Sequence, residues 1–335
     1  MPDPLTVTPA QVHAARQRIS GAVHRTPLLS SARAAAVVRD MTGIEVGEGR
    51  VFLKAEHLQK TGSFKPRGMV NRLLTLAPAD RPNGIITFSA GNAAQGYAYA
   101  GAAVGVPVTV VMPAAANPTK VAATRGYGAE VVLEGANFRE TVAAMERIRD
   151  ERGLRLCPPF DDPEVIAGHG SVGLEIVEDL PEVDVVVVAI GGGGLISGVA
   201  AGVHATRPGA RIYGVEPTGS DAMSLALGAG APVPLIPQSV ADGLNAPFAG
   251  EWTLAMVREH VEDVVRIDDQ AILTGVRFGM ERLKQVLEPA GAAALAALLM
   301  GAIPVRTGER VCVVLSGGNL DLARAGELLA AGAPA

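Results

Sequence analysis

From Gly84 to Leu156 short apolar runs alternate with segments of helical periodicity, as in a parallel βα array. Strands are predicted at Gly84 to Phe88, Pro107 to Met112 and Glu130 to Leu133. Helices are predicted at Ala94 to Val104, Pro118 to Arg125 and Phe138 to Arg152, the last with Val142, Met145 and Ile148 on one apolar face. A second array opens on the wholly apolar strand Val183 to Ile190 and continues through a helix at Leu195 to Ala205 and a strand at Arg211 to Glu216. A helix from Asp269 to Gln285, an alanine-rich helix from Gly291 to Gly301 and a strand from Arg310 to Leu315 complete it. Strands without polar positions are normally covered by helices on both faces, so the pattern predicts an α/β chain of two doubly wound open-sheet lobes with a cleft between them. The proline-rich stretch Ala229 to Pro237 reads as a surface loop, and no internal repeat is present.

Composition supports two compact lobes, since 335 residues at 48% apolar content supply ample core. Forty glycines and few aromatic residues suit tight turns and backbone lying close to a ligand. With 29 basic against 34 acidic residues, a net charge of −5 and no basic cluster, the chain has no electrostatic footprint for nucleic acid. It contains no apolar run long enough to span a bilayer, and its first thirty residues lack the layout of a signal peptide, so a soluble cytoplasmic protein with no membrane partner is expected. Cys157 and Cys312 are too few for a disulfide framework, and the six scattered histidines show no zinc-enzyme spacing, so no catalytic metal is expected.

Candidate chemistry begins at Thr61-Gly62-Ser63-Phe64-Lys65-Pro66-Arg67-Gly68. Pro66 biases Lys65 away from the α region and can start a helix running from Arg67 to Leu76, with Lys65 at its mouth. The positive end of that helix, together with burial beside Phe64, would disfavour the charged ammonium and leave a nucleophilic amine. A solvated surface lysine satisfies the same position. Gly191-Gly192-Gly193-Gly194, between a strand and a helix, can cradle a phosphate on backbone N–H groups. A dinucleotide fold also places glycines there and an acid about 20 residues later, a place Glu216 nearly fills, but its sixth-position glycine is Ile196 here. Ser89-Ala90-Gly91-Asn92 lies at another strand-to-helix junction, where N–H groups and the Ser89 hydroxyl could hold a carboxylate. An ordinary helix cap explains those residues equally well. Ser316-Gly317-Gly318-Asn319 follows a buried strand, so Ser316 emerges at its C-terminal edge.

The segment from Lys54 to Gly68 closely resembles the cofactor-lysine segment of the serine/threonine dehydratases, pyridoxal-phosphate enzymes of the tryptophan synthase β-subunit fold (fold type II). The resemblance runs from Arg25-Thr26-Pro27-Leu28 to Ser316-Gly317-Gly318-Asn319-Leu320-Asp321-Leu322, with four motifs in the family's order. It implies that Lys65 forms the Schiff base with pyridoxal 5′-phosphate and then takes the substrate's α-proton. It further implies that Gly191, Gly192, Gly193, Gly194 and Leu195 hold the phosphate, that Asn92 donates to the phenolic oxygen, that Ser316 bonds the pyridine nitrogen, and that Phe64, Glu288 and Gly317 lie near the ring. Ser89, Ala90, Gly91 and Asn92 would form the substrate-carboxylate loop, with Ser89 as a second catalytic residue. Ala93 stands where the family usually has histidine, and Ala90 where serine racemases carry a serine acid/base, so elimination is favoured over racemisation. The family's divalent-cation motif aligns at Glu216 and Ser220 but meets Ala222, with Asp221 one place early, so no metal is assigned there.

The resemblance implies a large cofactor-binding domain of residues 1–78 and 157–335, a small mobile domain of residues 79–156, and a homodimer or homotetramer. The chain stops soon after the Ser316 motif, so the C-terminal regulatory domain of biosynthetic threonine deaminases, and feedback through it, are not expected. The expected activity is dehydration and deamination of a small amino-acid substrate, L-threonine or L-serine, to a 2-oxo acid and ammonia. Open alternatives are another β-hydroxy amino acid such as 3-hydroxyaspartate, phenylserine or a hydroxylated compatible-solute breakdown product, a non-catalytic pyridoxal-phosphate-binding sensor, and a nicotinamide dehydrogenase.

Overall fold

The run Val185-Val186-Val187-Val188-Ala189 offers water no polar side chain, and all five residues are buried at the centre of a sheet. In this computed structural model, which describes residues 5–331, ten strands form two sheets. They are β1 (Leu28–Ser31), β2 (Val51–Lys54), β3 (Ile85–Phe88), β4 (Val108–Met112), β5 (Glu130–Leu133), β6 (Arg155–Leu156), β7 (Val185–Ala189), β8 (Arg211–Pro217), β9 (Asp263–Ile267) and β10 (Val311–Val314). The larger sheet has the order β1-β2-β10-β7-β8-β9 and is parallel except for β1, which runs antiparallel to β2. The smaller sheet, β5-β4-β3-β6, is wholly parallel. Side chains alternate across the larger sheet as the two-residue period requires: Val185 and Val187 enter one hydrophobic cluster, Val186 and Val188 the other. Two further clusters cover the smaller sheet, one holding Ile85 and the other Ile86.

The helix Pro163–Asp179, on which the periodicity reading was silent, is the fold's central strut. Asp162 caps it by accepting from the N–H groups of Glu164 (2.9 Å) and Val165 (3.2 Å), and Pro163 opens its first turn. Its glycines weaken the sequence signal and explain the packing. A Cβ on Gly168 would come within 2.4 Å of Arg67 O, and one on Gly173 within 2.3 Å of Val199 O. Backbone therefore lies against backbone, locking the helix Pro66–Leu74 on one flank and the helix Gly194–His204 on the other.

The expected helix from Asp269 to Gln285 is a correction. It runs regularly over Asp269–Phe278, widens into a π-type turn at Gly279–Leu283, and ends at Lys284 with φ +59°. Leu287 folds back onto Gly279, where a Cβ would meet Leu287 Cδ1 at 2.8 Å, and the Gln285 N–H donates to Gly279 O at 3.0 Å. Tertiary packing overrides local helical preference there. The helices Pro9–Ile19, Ala32–Thr42 and Glu251–His260 and the strand β9 were also not anticipated, although Thr8 and Gln11 form a reciprocal capping box before the first of them.

Candidate active site

Lys65 sits at the mouth of the helix Pro66–Leu74, but not in the extended conformation that Pro66 suggests; its φ −51°, ψ −41° are helical. The pre-proline preference yields because Lys65 O accepts from Met69 N (3.2 Å) and a close neighbour pins the residue. That neighbour is Gly96, where a Cβ would meet Lys65 Cβ at 2.9 Å, so the helix Asn92–Val104 rests directly on the lysine. Lys65 Nζ donates to Pro159 O at 2.9 Å and lies 5.1 Å from the centre of the Phe64 ring. Burial, rather than the helix dipole, pushes the amine down to about 8. The Phe64 ring meets the fully buried His169 edge-on at 4.8 Å.

Beneath Lys65 lies a network of charged side chains shut away from solvent. The Arg67 guanidinium binds Glu56 through Nε and Nη2 (both 2.8 Å) and Glu175 through Nη1 (2.7 Å) and Nη2 (2.9 Å). Lys54 Nζ completes it with bonds to Glu175 (2.7 Å) and Thr26 O (2.7 Å). Two cations face two carboxylates, so the charge is compensated in place. Burial opposes the arginine's charge, but Glu56 and Glu175 outweigh it and raise its pKa. Sequence reading used Lys54, Glu56 and Arg67 only as part of a resemblance; Lys54 and Glu56 on either side of Ala55, Arg67 in the helix Pro66–Leu74 and Glu175 in the helix Pro163–Asp179 close the network.

The Gly191–Gly194 loop leaves β7 and enters the helix Gly194–His204 through Gly193, whose φ of +93° is left-handed. No side chain caps that helix, so its first N–H groups are presented to an anion. The Phe160 ring lies where a Cβ on Gly192 would be, at 2.4 Å, and Thr253 Oγ1 donates to Gly192 O at 2.8 Å. Phe160, which the sequence reading missed, directly follows Pro159, whose carbonyl accepts the lysine's hydrogen bond. One short segment thus brings the amine and the loop together. Leu195 is buried in the first turn.

Ser316 is buried at the end of β10; its carbonyl accepts from Phe64 N (3.1 Å) and its hydroxyl makes a long 3.3 Å bond to Ala290 O. Ser63 and Gly317 are bridged as antiparallel partners. Asn92 Nδ2 donates to Glu288 Oε1 at 2.5 Å, and Asn92 Oδ1 accepts from Asn319 Nδ2 at 2.8 Å, which itself also donates to Thr61 O at 2.7 Å. Burial drives the Glu288 carboxyl up to about 7, with the Asn92 bond opposing. Gly317 lies against this carboxylate, a Cβ there falling 2.0 Å from Glu288 Oε1. Asn92 is the first residue of its helix rather than its cap; Gly91 is the cap and brings no side chain. The Ser89 hydroxyl accepts from Gly91 N at 3.2 Å, Ala90 is half-buried, and Ala93 points into the apolar cluster with Met69 and Tyr97.

Glu216 lies away from this group. Its carboxylate accepts from Met223 N (2.7 Å) and from Ser224 N (2.9 Å) and Oγ (2.7 Å), capping the helix Ala222–Ala229, while Asp221 pairs with Arg266. Among the described residues no group of three or more His, Cys, Asp and Glu side chains is placed to share a metal ion.

The residues fit a cofactor with a phosphate at one end and an aldehyde at the other. An uncapped glycine loop suits the phosphate, an amine of depressed pKa suits the aldehyde, and Ser316, bonded to Phe64 beside the lysine, and Asn92, in the helix resting on it, add a hydroxyl and an amide. Fold and site together define an α/β enzyme that uses pyridoxal phosphate. The chain belongs to the pyridoxal-phosphate dependent enzyme family, whose pattern it matches over residues 19–317. It is 41% identical to the L-threonine ammonia-lyase of Thermotoga maritima over 94% of this chain and 76% of that protein. It is 40% identical to the catabolic L-threonine dehydratase TdcB of Escherichia coli over 94% and 93% respectively. The solved structure of maize serine racemase superposes with a TM-score of 0.89 at 35% identity, covering 96% of each chain.

Proposed function

We propose that this protein is an ammonia-lyase that converts a β-hydroxy amino acid, L-threonine or L-serine, to a 2-oxo acid and ammonia. The observation that carries the reading is the Lys65 amine, held at a pKa of about 8 one residue's reach from the segment that packs on the Gly191–Gly194 loop. The similarity to threonine ammonia-lyase and dehydratase chains over nearly the whole length supports it. Bound pyridoxal phosphate supplies an aldehyde that captures amines and a ring that accepts the electron pair released at the α-carbon.

The protein's own part follows from the geometry. Burial lowers the Lys65 amine to about 8, which favours the uncharged form needed to exchange with the substrate amine and to take the α-proton as base. Lys65 Nζ is held by a single carbonyl, Pro159 O, which it can leave without stranding a charge. Ser89, Gly91 and Asn92, at an unencumbered helix N-terminus, bind the substrate carboxylate. The Ser316 hydroxyl can turn from its long bond to Ala290 O toward the ring nitrogen, and being neutral it does not hold that nitrogen protonated, which favours elimination over transamination. Residues 79–156 close over the remainder, residues 1–78 and 157–335, to keep water from the site. A cytoplasmic homodimer or homotetramer belongs to the same proposal.

The racemase likeness favours a second outcome at the same site, but Ala90 offers no acid or base on the face opposite Lys65. A panel of L-threonine, L-serine and L-threo-3-hydroxyaspartate decides, with ammonia, 2-oxo acid and D-amino acid all quantified. Ammonia and 2-oxo acid in equal amounts are expected, falling roughly 10⁴-fold or more in Lys65→Ala. D-amino acid as the main product would displace the lyase reading.

A further inference from the structure

One buried threonine anchors the Gly191–Gly194 loop. Thr253, in the first turn of the helix Glu251–His260, is wholly buried, and its Oγ1 accepts from Gly250 N at 3.0 Å. The hydroxyl proton is then left for a carbonyl, and Gly192 O at 2.8 Å lies nearer than Gly250 O at 3.2 Å. Packing reinforces the bond, since a Cβ on Gly193 would stand 2.7 Å from Thr253 Cβ. No cis peptide occurs among the described residues, and a trans peptide sets its C=O and the following N–H on opposite sides. Anchoring Gly192 O on Thr253 therefore turns Gly193 N–H toward the other face of the loop, where it meets no acceptor among the described residues.

Thr253 is itself held by Asp161. Its N–H donates to Asp161 Oδ1 at 3.2 Å, and the Glu251 N–H donates to Asp161 Oδ2 at 3.0 Å. One carboxylate thus fills the N-terminus of the helix Glu251–His260. Gly250 makes room for it, because a Cβ there would fall 2.1 Å from the Asp161 carboxyl carbon. Two helix N-termini therefore meet the glycine loop with opposite fittings. That of Glu251–His260 is closed by the protein's own anion, whereas that of Gly194–His204 has no side-chain cap and stays open to an anion from outside. Asp161 also directly follows Phe160, whose ring lies on Gly192, so one stretch of chain bears on the loop twice.

We propose that Asp161 and Thr253 are positioning residues for the cofactor's phosphate: Asp161 orients Thr253, and Thr253 turns the Gly192 carbonyl away from the anion so that the Gly193 N–H faces it. The proposal rests on pyridoxal phosphate as the cofactor and is independent of which amino acid the enzyme consumes. It divides the cofactor's two ends between two sets of residues. The phosphate end depends on Thr253, whereas the aldehyde end depends on Lys65, whose amine is held by Pro159 O.

Pyridoxal, which carries the ring and the aldehyde but no phosphate, separates the two ends. The full chain, freed of cofactor, is titrated with pyridoxal phosphate and with pyridoxal, and Schiff-base absorption is followed without any amino acid present. Thr253→Val keeps the side chain's shape and removes its hydroxyl. It should weaken pyridoxal phosphate binding about tenfold or more, because the buried Gly192 carbonyl loses its donor, and leave pyridoxal binding unchanged. Thr253→Ser restores the hydroxyl and should recover most of the loss. Asp161→Asn keeps one of the two acceptors and should fall between Thr253→Val and the wild type. Pyridoxal phosphate held by Thr253→Val as tightly as by the wild type would overturn the proposal. So would equal losses for both aldehydes in all three variants, which is the signature of a generally loosened fold.

Discussion

Glu288 carries a proton that an exposed carboxylate would have lost. Its pKa of about 7 in the folded protein, against an ordinary 4.5, means that between those values the native state binds more protons than the unfolded chain. Its contribution to stability is therefore greatest below pH 4.5 and falls as pH rises through 7, by about 3 kcal/mol in all. Glu288→Gln keeps an acceptor for the Asn92 amide and removes the titration. Urea unfolding at pH 5 and pH 8 should show the variant losing less stability with rising pH than the wild type, by up to about 3 kcal/mol. Glu216, also raised to about 7 by burial, keeps its own slope in both proteins. At this scale sequence pointed to Lys65, Ser316 and the glycine loop, because each lies in a string that physical chemistry singles out. It was silent on Pro159 and Phe160, whose importance comes only from what folds onto them, and it misjudged the Lys65 backbone, which packing against Gly96 decides.

At the scale of elements, helix-on-helix contact through glycine holds the lysine and the phosphate loop at a fixed distance. Gly168 touches the backbone of Arg67 and Gly68, with a Cβ there at 2.4 Å and 2.7 Å from them. Neither contact is a flexible side-chain end that could swing aside. Gly168→Ala should destabilise the protein by about 1–3 kcal/mol or more and weaken cofactor binding, measured by thermal unfolding and by titration of the cofactor's visible absorption. A helix-favouring residue that leaves both unchanged would show that the two helices can separate freely. The strands and the helices between them were legible because apolar runs and amphipathic faces repeat along the chain. The helix Pro163–Asp179 was not, since its packing rests on Gly168, Gly170 and Gly173, which have no side chain, and on a cap whose meaning depends on neighbours, and β9, exposed at a sheet edge, lacks a wholly apolar run.

Across the whole molecule, contacts join the smaller sheet's helices to the larger sheet's loops around the site. Lys120, in the helix Pro118–Gly126, pairs with Asp242, and Asn117 donates to Asp321 at 2.9 Å. With Asn92 held by Glu288 and Asn319, these contacts tie the smaller sheet's helices to the loops of the larger sheet. The Lys120–Asp242 pair is partly exposed, so its loss should cost no more than about 1 kcal/mol. Asp242→Asn should raise KM for the amino acid up to about fivefold and speed proteolysis between the lobes, with Tm little changed; steady-state kinetics and limited trypsin digestion read both. Two parallel sheets were legible from two strand arrays, whereas their mutual contacts, between residues more than a hundred positions apart, left no local pattern to read.

The charge network under Lys65 also sets an order of assembly. Lys54, Glu56 and Arg67 are made early, but the second carboxylate, Glu175, comes more than a hundred residues after Arg67. A chain still being synthesised, with residue 175 inside the ribosome, holds two cations against one carboxylate and cannot bury them. The nucleophilic lysine therefore acquires its seat only after all four strands of the smaller sheet have been translated, so that sheet's whole sequence is available before the chain can hold a cofactor.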